Sequence, residues 1–228
     1  MISINNLTVK FGQNTVLNNI STHFAENNVY GIVGLNGAGK STFFNVLSGS
    51  LKPNEGQINY FDAKITYNEI GYLETVNFFY SKITGNEYLK IFKQTNLDFN
   101  LHSLQEFLKL PLDDLIETYS TGMKKKLALL GVLKQNKSIF LFDEPFNGLD
   151  LETNKILELI IITLKEKGKT VFLSSHIIDP LLTVCDEIHF LESGQFTKTF
   201  DKANFHRIED ELFRKLKTEA KTIISKSI

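Results

Sequence analysis

A chain of 228 residues with 42% hydrophobic and 22% charged side chains is neither disordered nor fibrous, and it suffices for one sizeable core or two small lobes. Its formal net charge of −1 supplies no bulk attraction to nucleic acid or anionic lipid. A single cysteine, Cys185, excludes an internal disulfide framework, fits a reducing compartment, and reads as a small buried apolar residue. No basic segment followed by an apolar one opens the sequence, so no secretory leader is expected. The longest apolar stretches, such as residues 159–164, fall far short of the roughly 20 residues that span a bilayer.

In chain order, Ile2, Ile4, Leu7 and Val9 mark a first strand, and a second apolar-alternating run covers residues 16–24. Between them Phe11 stands beside Lys10 and directly before Gly12, which predicts a partly exposed ring able to stack on a purine base. Residues 29–33, V-Y-G-I-V, read as a buried parallel strand. Residues 34–42 follow as G-L-N-G-A-G-K-S-T, and the apolar side chains of 43–47 suit the first turns of a helix packed on a sheet. A strand, a glycine-rich turn and a helix are the context in which this pattern predicts a phosphate-binding loop. Gly34, Gly37 and Gly39 lack Cβ atoms, so the backbone can wrap a polyphosphate with its N–H groups inward, and the helix adds its positive end. The candidate contacts are Gly34, Asn36, Gly37, Ala38, Gly39, Lys40, Ser41 and Thr42. Lys40 would reach the β- and γ-phosphates, and the Ser41 hydroxyl would take one Mg²⁺ position.

Residues 52–56 are a turn, residues 57–61 a strand, and residues 70–73, I-G-Y-L, a further buried strand. Strand signals then fade to about residue 129. Helical spacing over 87–92, 101–110 and 112–116 predicts a helical insertion between two halves of an α/β core. Ser120 is a candidate N-cap before a basic helix that starts with Lys124, Lys125 and Lys126; that lysine run alone reads as a solvated face. Residues 138–145, S-I-F-L-F-D-E-P, form an apolar run closing on two acids, as at the carboxyl end of a buried parallel strand, where ligands of open α/β sheets bind. Asp143 is placed there to hold Mg²⁺, and Glu144 to polarise an attacking water. An amphipathic helix over about 151–167 precedes a buried strand at 170–174, capped by Ser175 and His176, the histidine falling where a γ-phosphate would lie. Residues 187–191 read as a late strand before a turn at 193–194, and the chain beyond Asp201 looks helical.

In this order the segments resemble the nucleotide-binding subunit of an ATP-binding cassette (ABC) transporter, over residues 2–196. The resemblance implies one α/β cassette with a phosphate-loop NTPase core and a mostly parallel sheet. Residues 1–73 and 130–200 would form that core, with an N-terminal antiparallel β region. Residues 74–129 would be an inserted helical subdomain, and 201–228 a C-terminal tail. By the same resemblance Phe11 stacks on adenine and residues 34–42 hold the phosphates of ATP. Asp143 and Glu144 match the Mg²⁺ acid and the catalytic glutamate, His176 the switch histidine, and Asn147 to Asp150 the loop that crosses a dimer. Residues 119–123 match the signature L-S-G-G-Q; Ser120 and Gly122 remain, while Thr121 replaces its first glycine and Met123 its glutamine. The family's Mg²⁺-sensing glutamine falls at Thr75 by ungapped count, with Glu74 beside it.

The implied mechanism needs two cassettes. ATP lies between the phosphate loop of one and the signature helix of the other, so Ser120 and the Gly122 amide would touch a γ-phosphate bound by a second nucleotide-binding subunit, identical or related. The pair would drive separate transmembrane permease subunits from the cytoplasm, at the inner face of the cell membrane. The short helical region and the version Y-S-T-G-M-K-K-K are similar to small exporter cassettes. A nucleic-acid- or ribosome-associated cassette is the competing expectation, but such proteins bring a long coiled coil, zinc-binding cysteines or a second fused cassette, so no nucleic acid is expected as a partner. A phosphate-loop kinase or GTPase leaves the signature and His176 unexplained.

Overall fold

The computed structural model describes residues 1–61, 63–94 and 100–208. Its first half runs β1 (Ile2–Phe11), β2 (Asn14–Phe24), β3 (Val29–Val33), α1 (Lys40–Leu47), β4 (Glu55–Tyr60), β5 (Ala63–Lys64), β6 (Ile70–Leu73), α2 (Gly85–Ile91) and α3 (Leu101–Phe107). The second half runs α4 (Thr121–Lys134), β7 (Ile139–Asp143), α5 (Leu151–Glu166), β8 (Thr170–Ser175), α6 (Asp179–Val184), β9 (Glu187–Glu192) and β10 (Gln195–Asp201).

Two sheets organise these elements. An antiparallel sheet has the order β2-β1-β4-β5, and a six-stranded sheet has the order β10-β9-β3-β8-β7-β6. The larger one is parallel from β9 through β6, with β10 antiparallel on its edge. Alternate side chains of its strands serve opposite faces. Tyr30, Ile32, Ile139, Leu141 and Phe172 pack with the antiparallel sheet and with Phe43, Phe44 and Leu47 of α1. Val29, Val33, Phe140, Phe142, Val171 and Leu173 pack on the other face with Leu129, Leu157, Ile161 and Leu181. Burial on both faces is why residues 29–33 and 139–142 read as unbroken apolar runs.

A third core belongs to the helical stretch: Tyr88, Leu89, Leu108, Leu110, Leu112, Ile116 and Tyr119 gather around Leu127 and Leu130. Helix α4 serves two cores at once, because Leu129, Val132 and Leu133 face the sheet instead. The expected helix at 112–116 is not formed. Leu112 and Asp114 accept hydrogen bonds from the N–H groups of Asn86 and Gly85 at 2.8 and 3.3 Å, and the N–H of Ile116 donates to Ile83 at 3.0 Å. The backbone there is committed to the start of α2, which its own capping box of Thr84 and Glu87 also completes. Helix α4 begins at Thr121, one turn earlier than the lysines suggest, with Ser120 as its N-cap as expected. Beyond Asp201 the chain makes a 3-10 turn, Lys202–Arg207; the remainder of the expected C-terminal helix lies outside the described residues. Neither α6 nor the two-residue β5 was anticipated from sequence.

Candidate nucleotide site

The loop between β3 and α1 is held by geometry only glycine tolerates. Gly37 and Gly39 adopt φ values of +85° and +107°. A Cβ on Gly39 would lie 2.9 Å from Leu17 Cδ2 and 3.1 Å from the Val16 carbonyl oxygen, so β2 clamps the loop from outside. Helix α1 has no side-chain cap, which leaves its first N–H groups to an anion. A cleft of about 610 Å³ opens here, between the loop on one side and His176, Phe190 and Ser193 on the other.

The carboxylate of Glu144 is the centre of the interactions beside that cleft. Lys40, only 6% exposed, donates from Nζ to the Gly34 carbonyl at 2.8 Å and lies 3.3 Å from Glu144 Oε1. The other carboxylate oxygen, Oε2, is 2.9 Å from His176 Nδ1 and accepts from Asn147 Nδ2 at 3.2 Å. Two buried charges of opposite sign are thereby compensated by each other and by polar neighbours, the condition for keeping either inside. Glu144 has φ +49°, a left-handed backbone rare for a residue with a side chain, and its N–H donates to Ser174 Oγ at 2.8 Å. The Ser174 hydroxyl in turn donates to Asp143 Oδ1. Asp143 is buried at the carboxyl end of β7, and its carbonyl accepts from Thr75 Oγ1 at 3.4 Å. Nearby, the Tyr72 phenol donates to Asn45 Oδ1 at 3.2 Å; burial, then the Asp143 and Glu74 carboxylates, push its pKa well up.

The structure thus brings Lys40, Thr75, Asp143, Glu144 and His176 into one hydrogen-bonded group. Ser41 and Thr42 follow Lys40 in the first turn of α1, with Ser41 exposed. Phe11 stands at the end of the β1–β2 hairpin and is 54% exposed, as its sequence setting predicts. Ser120, Gly122 and Asp150 lie elsewhere. Ser120 is exposed and caps α4 by accepting from the Met123 N–H at 3.2 Å, with Gly122 in the same turn. Asp150, also exposed, caps α5 by accepting from the Thr153 N–H at 2.8 Å, a bond that holds its carboxyl below the usual range. Among the described residues no hydrogen bond or ion pair joins these three to residues 34–42.

Comparison with known proteins decides the family. The family model described as ABC transporter matches residues 17–147, more than half of the chain. The chain belongs to the ABC transporter family. It is a nucleotide-binding subunit of that family, and hence an ATPase. Among relatives of this ABC subunit, the bacitracin transport ATP-binding protein BcrA of Enterococcus faecalis is 26% identical, covering 91% of this chain and 71% of that protein. The lantibiotic transport ATP-binding protein SrtF of Streptococcus pyogenes is 29% identical, covering 86% of this chain and 88% of that one. The fold is shared with a dimeric ATP-binding cassette solved in a post-hydrolysis state with ADP and Pi, at TM-score 0.78 and 23% identity, covering 89% of this chain and 99% of that one.

Two residues of this ABC subunit's site were missed from sequence. Ser174 carried a signal, since a serine near the end of a wholly buried strand needs a partner. Lys125 did not stand out among three lysines. It is half-buried against the sheet, and burial pulls its pKa down to about 8.

Proposed function

We propose that this chain hydrolyses ATP at two composite sites formed with a second copy of itself, and so powers export through separate permease subunits. One observation carries the reading. The Lys40–Glu144–His176 group is closed within the chain, while the capped start of α4, with Ser120 and Gly122, faces outward from another core. Each chain then supplies the hydrolytic half of one site and the signature half of the other. Leu35 in the phosphate loop and Leu151 beside Asp150 are 83% and 89% exposed, apolar surface that a second cassette would cover.

Within one site the roles follow from chemistry. Residues 34–42 and the α1 N-terminus bind the polyphosphate, and Lys40 moves its charge to the β- and γ-phosphates. Phe11 stacks on the base. Glu144 takes the proton of the attacking water, with His176 orienting its carboxylate. Ser120 and Gly122 of the second copy close on the γ-phosphate, and Asp150 secures the loop that crosses between copies. Ser41, Asp143 and Thr75 provide only hard oxygen donors, which suit Mg²⁺ shared with phosphates rather than caged by protein. Held by Ser41, Asp143 and Thr75, Mg²⁺ would supply positive charge to offset that developing on the phosphates.

The core of about 1–73 and 130–200 carries the chemistry in this reading, and the helical region of about 74–129 carries the coupling. Val76, Phe78 and Tyr80, all exposed after β6, are where a permease subunit would press. Among the described residues no helix is long and apolar enough to cross a membrane, so passage is left to those subunits, with this chain on the cytoplasmic face. Relatives named for bacitracin and lantibiotic transport support export. No nucleic acid takes part.

The test is Glu144→Gln in the full chain. Hydrolysis should drop by about 100-fold or more, with ATP binding retained and a nucleotide-bridged dimer accumulating in gel filtration. A normal rate would remove the role given to Glu144. ATPase activity raised by DNA or ribosomes, rather than by permease-containing membranes, would replace transport by the other reading.

A further inference from the structure

Lys125 lies in the second turn of α4, five residues past the Ser120 cap, and its side chain runs to the catalytic turn rather than to solvent. Its Nζ donates to the Glu144 carbonyl at 2.7 Å and to the Asn147 carbonyl at 2.9 Å. Those carbonyls bracket the turn that holds Glu144 at φ +49°, closed by the Asn147 N–H to the Glu144 carbonyl at 3.3 Å. The same turn sends Asn147 Nδ2 back to the Glu144 carboxylate. One ammonium group therefore fixes both ends of the turn and ties it to the helix that bears Ser120 and Gly122.

We infer that Lys125 is a positioning residue that links the two half-sites of one chain, transmitting the placement of the signature helix to the Glu144 carboxylate. The inference rests on the composite-site reading above. Movement of α4, when Ser120 and Gly122 engage the second copy's nucleotide, is passed through two short charge-assisted hydrogen bonds to the strained turn. Neither neighbour does this. Among the described residues, no hydrogen bond or ion pair carries Lys124 or Lys126 to that turn.

The experiment compares Lys125→Met, Lys125→Arg and Glu144→Gln in the full chain. Steady-state hydrolysis is read against nucleotide affinity and thermal midpoint. Lys125→Met keeps the length and packing but has no donor, and should lower kcat about tenfold with KM for ATP within twofold. Lys125→Arg, which can reach both carbonyls, should restore most of kcat. If kcat is unchanged in Lys125→Met, or if both variants lose activity only in proportion to lost stability, Lys125 is merely structural and the inference falls. Should Lys125→Met fail to fold, Lys125→Gln takes its place: kcat at the wild-type level overturns the link, and a lowered kcat at constant KM sustains it. Glu144→Gln keeps the two ideas apart. Hydrolysis lost in Glu144→Gln but intact in Lys125→Met sinks this inference alone, whereas full hydrolysis in Glu144→Gln removes the reading beneath it.

Discussion

The end of β7 and the start of α4 are built by opposite means. At β7, Asp143 and Glu144 are buried and their carboxylates are met from within the chain, where Ser174, Lys40, His176 and Asn147 converge. At α4, Ser120 is exposed and, among the described residues, its hydroxyl accepts only from its own helix, at the Met123 N–H. Burial forces polar groups to find partners, while exposure leaves them to water or to another molecule. On the composite-site proposal, the first region is the hydrolytic half of a site and the second is the half that meets a phosphate held by another copy.

The largest effect that could break this contrast comes from Gly122→Asp. An acidic residue in the first turn suits the helix dipole, so α4 should fold normally. Open space surrounds the position, with only Ser120 Oγ 4.0 Å from where a Cβ would stand. The new carboxylate would face phosphate held by the second copy, and hydrolysis should drop by about 100-fold, as for loss of a transition-state anion contact. ATP affinity of the separate chain should stay within twofold. Mixed in equal amounts with Glu144→Gln, the variant should regain activity, because one of the two composite sites then combines an intact Glu144 with an intact signature. Phosphate release without recovery in the mixture would place both halves in one chain.

A smaller effect tests the closed half. Ser174→Ala removes the hydroxyl that joins the Asp143 carboxylate to the Glu144 N–H, leaving both buried without it. The expected cost is about 1–3 kcal/mol of stability by urea unfolding, with a fall of about tenfold in kcat. Gly122→Asp, by contrast, should leave stability within about 0.5 kcal/mol, because a side chain at this half-buried position enters open space. Equal destabilisation by both would erase the distinction between the two regions.

The same contrast explains what was legible in sequence. The sheet was readable because strands buried on both faces have no polar register to confuse: residues 29–33 and 139–142 announce themselves, and the functional residues sit at their carboxyl ends. Phosphate-loop glycines were readable because Gly37 and Gly39 take left-handed backbone that side chains rarely adopt, and a Cβ on Gly39 would also meet β2. Residues 112–116 were not, since their apolar spacing packs the third core while their carbonyls serve α2, a long-range use of backbone with no local signature. Lys125 was hidden for a related reason. It shares its stripe with Ala128, Leu129 and Val132, which face the sheet, but the residues from Leu127 to Leu133 are buried on every side, so helical phase alone does not single it out from Lys124 and Lys126.

A third region, the aromatic core behind the phosphate loop, belongs to neither half-site and sharpens the comparison by its indifference to catalysis. His189 on β9 is 4% exposed among Phe24, Phe196 and Tyr30, with ring centroids 5.1, 5.5 and 5.9 Å away. Its Nδ1 meets Thr199 Oγ1 at 3.0 Å, and its Nε2 is 3.2 Å from Glu187 Oε2. Burial outweighs that carboxylate and pulls the imidazole pKa down to about 4, while burial and Asp186 push Glu187 up. An unfolded chain takes up this proton near the ordinary histidine value of about 6.5, so between there and about pH 4 it binds more protons than the folded one. Stability attributable to His189 is therefore full above pH 6.5 and declines as pH falls, by about 2 kcal/mol at pH 5. Urea unfolding at pH 7 and pH 5 should show that extra loss in the wild type and not in His189→Phe, with hydrolysis at pH 7 alike in both. An identical pH slope in the two proteins would mean that the imidazole is protonated in the folded core, a charge that only the Glu187 carboxylate could then be compensating.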